Sequence, residues 1–249
     1  MNVGQIFQRY FNDWQKFALV GLGALLVELA AGLIATVLGL LMMGPALVSI
    51  MRMDYLGLDI GPGQIFGMLG AMGGFAVIAL VLGVVASGMA NGGIMGAIVA
   101  YRRGEDVGLG TFWSYATRYF GKMILIGLIF FLIILVSAIV NLIPVLGQVV
   151  FLLWAPTALI TLGLYPAYLV IHDGYGVGSA VGQGFQILKS QFGSAVLGGL
   201  IMLLFWVAFG LIGFVPVIGS LVVAIFGQPL VIYFFAERFE SEVRPRLVA

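Results

Sequence analysis

Long apolar runs broken by short polar segments account for almost the whole chain, and the length of the runs carries the first inference. At about 1.5 Å of rise per helical residue, about 20 apolar residues cross a hydrocarbon core. Runs near that length fall at residues 17–43, 76–100, 122–140, 149–171, 194–212 and 221–235. They predict an all-α, integral membrane protein of six transmembrane helices. The apolar stretch 65–101 is too long for one straight crossing; counting back from Arg102 and Arg103 places its membrane portion at 76–100, with the glycine-rich residues 67–74 as a separate short helix. Residues 46–65, which include Arg52, Asp54, Asp59 and the turn Gly61-Pro62-Gly63, read as a loop on the far side.

Between the runs the pattern changes. Ile6, Phe7, Tyr10, Phe11, Trp14 and Phe17 recur at helical spacing, with Gln8, Arg9, Asn12, Asp13 and Lys16 between them. Such a helix lies flat at the headgroups, apolar face down. Phe112, Trp113, Ala116, Tyr119 and Phe120 repeat the stripe, and Phe185, Leu188 and Phe192 supply it again. The expected plan is three helical hairpins, each preceded by a cytoplasmic-side amphipathic interfacial helix, in units 1–103, 104–175 and 176–249.

The last two units look duplicated. Residues 120–150 lie without a gap on residues 192–222, at an offset of 72, with 11 of 31 positions identical. Apolar matches are cheap in such a chain, but Phe120/Phe192, Gly121/Gly193, Gly127/Gly199, Pro144/Pro216 and Gly147/Gly219 are not interchangeable positions. Each copy turns through Pro-Val-x-Gly. The first unit is divergent.

Charge then sets orientation. Arg9, Lys16, Arg102, Arg103, Arg118, Lys122, Lys189, Arg238, Arg244 and Arg246 fall on the side that holds both termini, and Arg52 alone falls on the other. The positive-inside rule makes that side cytoplasmic. With 62% hydrophobic and 8% charged residues, the composition is far from the quarter or so of charged residues usual in soluble domains. A formal charge of +1 gives no reason to expect nucleic acid. The absence of cysteine excludes disulfides, thiolate catalysis and Cys-ligated metals, and a single His172 excludes a His-rich metal centre; no cofactor is expected. The amino-terminal segment lacks the short apolar core and small-residue cleavage site of a signal peptide.

Few residues are left for chemistry. Glu28 is placed near the middle of the first span, where an ionisable group is costly and marks a candidate site, with Asn91 at similar depth on the neighbouring antiparallel span. Either it is a proton- or cation-responsive group or it is a protonated or amide-paired carboxyl that locks the two spans. Gly88, Gly92 and Gly96 make consecutive small-xxx-small steps for helix packing, within one subunit or between copies. Pro156 and Pro229 interrupt the return spans, with Thr157, Thr161 and Gln228 beside them: transporters use broken helices for midplane sites, and hydroxyl or amide side chains also heal simple kinks. Arg102, Arg103, Lys122 and Lys189 are positioned for contact with anionic headgroups. His172 and Asp173, being adjacent, project to different faces of a helix and do not by themselves form a catalytic pair. No Walker loop, HExxH or nucleophile elbow occurs.

Arg102-Arg103-Gly104-Glu105 with Phe112 and Phe120, Asp173-Gly174 ahead of Ala180 and Leu188, and the turns at Pro144 and Pro216 together resemble a diffuse group of prokaryotic polytopic membrane proteins. That group, of the domain-of-unknown-function type, includes the membrane domain attached to some glycerophosphodiester phosphodiesterases. The resemblance spans residues 96–237. It implies six helices and a bacterial or archaeal plasma membrane, and no activity. The leading expectation is therefore a non-enzymatic scaffold or accessory subunit whose partners are membrane lipids and other membrane proteins or itself. A small transporter or channel using Glu28, Asn91 and Gln228 is the alternative, and a lipid-modifying enzyme ranks third.

Overall fold

The computed structural model describes residues 3–55, 61–143 and 145–248; Asp59 and Pro144 lie outside them, and so does the side chain of Asp54. Among the described residues all regular structure is helical. The helices are α1 (Val3–Asn12), α2 (Trp14–Tyr55), α3 (Pro62–Arg102), α4 (Leu109–Ser137), α5 (Leu146–Ala158), α6 (Tyr165–His172), α7 (Val177–Ser190), α8 (Phe192–Gly213), α9 (Ile218–Val222), α10 (Gln228–Arg238) and α11 (Pro245–Val248). Among the described residues six helical stretches are long and apolar enough to cross a membrane: Trp14–Pro45, Pro62–Arg102, Leu109–Val140, Leu146–His172, Phe192–Gly213 and Ile218–Val243. The chain is a multi-pass membrane protein by that measure.

Three local expectations change. The loop placed at 46–65 is largely helix, because α2 runs through Pro45 to Tyr55 and α3 starts at Pro62. One proline removes a single backbone bond, and an apolar flank holds the remaining ladder. Pro62 sits at the first helical position, where its missing N–H costs nothing, and the Gln64 side chain reaches back to accept from the Gly61 N–H at 2.7 Å. Likewise residues 67–74 are continuous with α3, and the stripe at 112–120 is the first part of α4 rather than a separate helix. Only α1 and α7 stand apart from the helix that follows.

The chain divides into two compact units, Met1–Leu25 with Gly88–Ala249, and Leu26–Ser87. In the larger unit glycines let helices close on one another. The Phe112 ring is fully buried between Gly23 of α2 and Gly93 of α3; a Cβ at Gly23 would stand 2.6 Å from it. Tyr10 stacks on Phe17 with centroids 4.6 Å apart, and Phe17 meets Tyr233 at 5.3 Å, which ties α1, α2 and α10 into one aromatic cluster. In the smaller unit α2 packs on α3 where Gly39 faces the Phe75 ring and Gly74 faces Met42.

The return helices share a device. π-helical turns lie at Leu159–Leu164, Val223–Gly227 and Phe239–Val243, and each is followed by one residue and then a proline: Tyr165-Pro166, Gln228-Pro229, Arg244-Pro245. A proline ring clashes with the carbonyl four residues back in an α-helix; a wider turn moves that carbonyl aside. The N–H of the residue before each proline donates five residues back, as from Arg244 to the Phe239 carbonyl at 2.8 Å.

The Pro-Val-x-Gly turns have a second common feature. Val145 and Val217, 72 positions apart, have φ of 62° and 63° with ψ of −62°. At Val217 the Pro216 carbonyl accepts from the Ile218 N–H at 2.7 Å, closing a tight γ-turn that is strained for a β-branched residue.

Candidate functional site

Several charged side chains of the larger unit collect where the ends of α3, α6 and α10 meet the start of α8. Residues 237–244 straddle α10 and its terminal π turn, and their side chains reach α3, α6 and α8 as well as one another. Glu237 accepts from Arg102 of α3 at 2.7 Å. Arg238 is 1% exposed. Its Nη1 donates to the Tyr165 hydroxyl at 3.2 Å, its Nη2 to the Ser194 carbonyl at 2.7 Å and the Ser194 hydroxyl at 3.1 Å, and its Nε lies 3.3 Å from Glu242. A Cβ at Gly198 would run into the guanidinium, so the absence of a side chain there makes the room. A buried guanidinium persists only when paired and hydrogen-bonded, as here.

Arg244 bridges Asp173 and Glu240, the latter at 3.1 Å, and lies over the Phe239 ring. Asp173 caps α6 with φ −103° and ψ −5°, so its carboxylate folds back on the adjacent imidazole, His172 Nδ1 standing 2.7 Å from Asp173 Oδ1. The expectation that these neighbours face apart is corrected: the helix ends between them, and the cap geometry turns Asp173 round. Arg103 donates to the His172 carbonyl at 3.1 Å. Gly104 and Gly174, both with φ of 74°, close α3 and α6 in the left-handed conformation that favours glycine.

A cleft of about 340 Å³ opens here, lined by Asp173, Tyr175, Gln183, Phe239 and Arg244 among others. Both Asp173 oxygens are already engaged, one by His172 and the other by Arg244, which ties the end of α6 to the residue that precedes α11. At the other edge of the cluster Tyr101 donates to Asp13 at 2.7 Å, and Lys16 pairs with Asp13 at 3.3 Å. The Tyr101 bond, ahead of Lys16, holds the Asp13 carboxyl below its ordinary value. Burial pushes the Tyr10 phenol up.

The residues singled out from sequence fall in several places. Glu28 lines a cleft of about 350 Å³ within Leu26–Ser87, together with Gly32 and Ala35 of α2 and Ala79, Gly83 and Ser87 of α3. Asn91, Thr157 and Gln228 are not in its lining. Thr157 donates to the Leu153 carbonyl at 2.8 Å and Thr161 to the Thr157 carbonyl at 2.7 Å, so both hydroxyls bond along their own helix around Pro156. Gln228 follows a π turn, its backbone N–H on the Val223 carbonyl. Gly88 and Gly92 take α4 against α3: a Cβ on either would stand 3.0 Å from Ile124 or Met123, and one on Gly96 would overlap Tyr115. That face is filled inside the chain. Lys122 and Lys189 are exposed, Lys122 with its ammonium 5.7 Å from the Tyr119 ring.

Arg238, Glu237, Glu242 and Arg244 were not singled out for pairing. The signal available was an Arg238/Glu242 pair four residues apart at the end of an apolar run. Among the described residues no three His, Asp or Glu side chains gather as a metal site would require. No protein-family model matches the chain, and no curated protein or solved structure matches it.

Proposed function

We propose that the chain is a non-enzymatic scaffold or accessory subunit of a prokaryotic plasma membrane, with both termini cytoplasmic, contacting lipids and other membrane proteins. Its last two units derive from one duplicated hairpin; the paired positive-φ valines 72 residues apart support that reading. One observation carries the function: the charges gathered at the ends of α3, α6 and α10 are engaged in intrachain pairs, Arg102–Glu237, Arg238–Glu242 and Arg244–Asp173. Meanwhile the helical pair Leu26–Ser87 turns Leu33, Leu40, Met51 and Phe66 outward, each at least 67% exposed. A protein that stitches its charges together and presents apolar helix faces is built to sit among lipids and other helices.

The test is purification in native nanodiscs followed by mass spectrometry of what remains bound. Partner proteins at fixed stoichiometry are expected; the chain alone with lipid counts against the reading.

A second reading, a small transporter, is favoured by the cleft at Glu28. It expects ion or solute flux in liposomes that Glu28→Gln abolishes.

A further inference from the structure

The four cations expected at the headgroups are separated in the structure by what each already does. Arg102 is taken up by Glu237, and Arg103 by the His172 carbonyl. Lys189 has no other lysine or arginine within four residues of it. Lys122 is different, because Arg118, one turn before it on α4, is exposed with it and both lie over one ring: Arg118 Cζ is 5.5 Å and Lys122 Nζ 5.7 Å from the Tyr119 centroid. Tyr115 stacks on Tyr119 at 5.9 Å and steadies that ring. Among the described residues no carboxylate pairs with either cation. Two like charges four residues apart on a helix repel each other, and an anion seated between them turns that repulsion into two charge-assisted hydrogen bonds.

The rest of the same helix face says which anion fits. Gly121 is exposed and has nothing within 4 Å of where a Cβ would stand, so the surface beside the two cations is open. From there Leu125, Leu128, Leu132 and Leu135, all exposed, continue the face in steps of three and four. Leu125 to Leu135 is about 15 Å of rise, the hydrocarbon depth of one leaflet. Exposed Trp113, with Tyr115 and Tyr119, supplies the aromatic residues usual at the membrane boundary. A soluble phosphate or an acidic protein segment would use the cations and leave the leucines bare, whereas a phospholipid uses both. At the offset of 72, Arg118, Tyr119 and Lys122 correspond to Ser190, Gln191 and Ser194, of which Gln191 is spent on the Val243 carbonyl and Ser194 on Arg238. The cation pair therefore belongs to one of the two hairpins. We propose that Arg118 and Lys122 form the headgroup site for a single anionic phospholipid, its phosphate between the two cations and an acyl chain along the leucine face. The proposal deepens the lipid contact of the scaffold reading and rests on that reading for the membrane setting.

The experiment titrates the full chain in detergent with phosphatidylglycerol or with phosphatidylcholine of the same acyl chains, and counts bound lipid by native mass spectrometry. One phosphatidylglycerol is expected to bind about tenfold more tightly than phosphatidylcholine. Arg118→Gln combined with Lys122→Gln should erase that preference. Arg9→Gln combined with Arg246→Gln removes the same charge from other exposed positions and should leave it in place. Gly121→Leu keeps both cations but closes the open surface, and should weaken phosphatidylglycerol severalfold. Thermal unfolding of each variant checks that it is folded; the single variants Arg118→Gln and Lys122→Gln, each expected to reduce the preference to about threefold, stand in if the double variant does not fold. Equal binding of the two lipids overturns the proposal, as does a preference that survives loss of both Arg118 and Lys122 or the filling of Gly121. So does an equal loss with the Arg9 and Arg246 pair, the sign of diffuse attraction, or displacement of the lipid by inorganic phosphate, the sign of a soluble-anion site. A co-purified protein that only the Arg118 and Lys122 variant loses, with lipid binding unchanged, overturns it too. If partners co-purify but phosphatidylglycerol is not preferred, the lipid site fails while the scaffold reading stands; if the preference holds but nothing co-purifies, the reverse is true.

Discussion

Tyr10 donates its hydroxyl hydrogen to the backbone carbonyl of Phe226, 216 residues away in sequence, at 2.8 Å. Phe226 lies in the π turn that precedes Pro229, where the regular ladder is interrupted. A helix at the start of the chain thus satisfies a carbonyl in the last long helix, in a setting where an unpaired carbonyl is costly. Tyr10→Phe keeps the ring stacked on Phe17 and removes only the donor. We expect a loss of about 1–2 kcal/mol of stability, read as a lower thermal midpoint in detergent, with the oligomeric state unchanged.

Gly93 and Gly32 provide a matched pair. Alanine at Gly93 would press on the fully buried Phe112 ring, while alanine at Gly32 meets open space. Gly93→Ala should destabilise by about 1–3 kcal/mol through overpacking. Gly32→Ala should be neutral or stabilising by up to about 1 kcal/mol, from helix propensity. Unfolding midpoints of the two variants measured side by side decide the matter; equal effects contradict the packing.

Arg238 should tolerate no truncation. Arg238→Ala leaves Glu242 and the Tyr165 and Ser194 groups without their common partner, with an expected cost of about 3–5 kcal/mol. Arg238→Lys restores one charge but not the three-way fork, so only partial recovery is expected. Full recovery with lysine, in the same unfolding assay, would show that charge alone matters.

Val217 is strained by φ of 63° and is 71% exposed, so replacing it removes little burial. Val217→Gly relieves about 1–3 kcal/mol of backbone strain and gives back about 1 kcal/mol in chain entropy. A net gain of about 1 kcal/mol is expected, visible as slower thermal inactivation.

Asp13 contributes to the acid limb of stability. Its folded-state pKa is lowered from 3.8, chiefly by the Tyr101 hydroxyl. Its stabilisation is therefore present above that value and is lost as pH falls through the lower, folded pKa. Thermal midpoints of the wild type and Asp13→Asn should run parallel above about pH 5 and converge as pH drops below about 4. Curves that stay parallel to the lowest pH would dismiss the Tyr101 contact.

The six long helices were legible because length and apolarity depend on the chain alone. Pro62, with Gly61 before it and Gln64 after it, is also readable as a helix start, although the expectation made it a loop. The Glu28 region was located from one carboxylate in an apolar run. What surrounds it was not: a small residue reads the same whether a neighbour fills its space, as Phe112 does at Gly93, or nothing does, as at Gly32. The π turns were equally hidden, since Pro166, Pro229 and Pro245 announce a disturbance and not the direction in which the helix yields.

From its sequence, this protein is a multi-pass helical protein, because a backbone in hydrocarbon must bond to itself and about 20 apolar residues suffice to do so. Only the tertiary structure decided which polar groups are spent. Whether Arg238 points to lipid headgroups or to Tyr165, Ser194 and Glu242 depends on Gly198 being opposite it, and whether Glu28 is packed away or lines a groove depends on where α2 and α3 part. Those are contacts between residues far apart in the chain, and local periodicity carries no record of them.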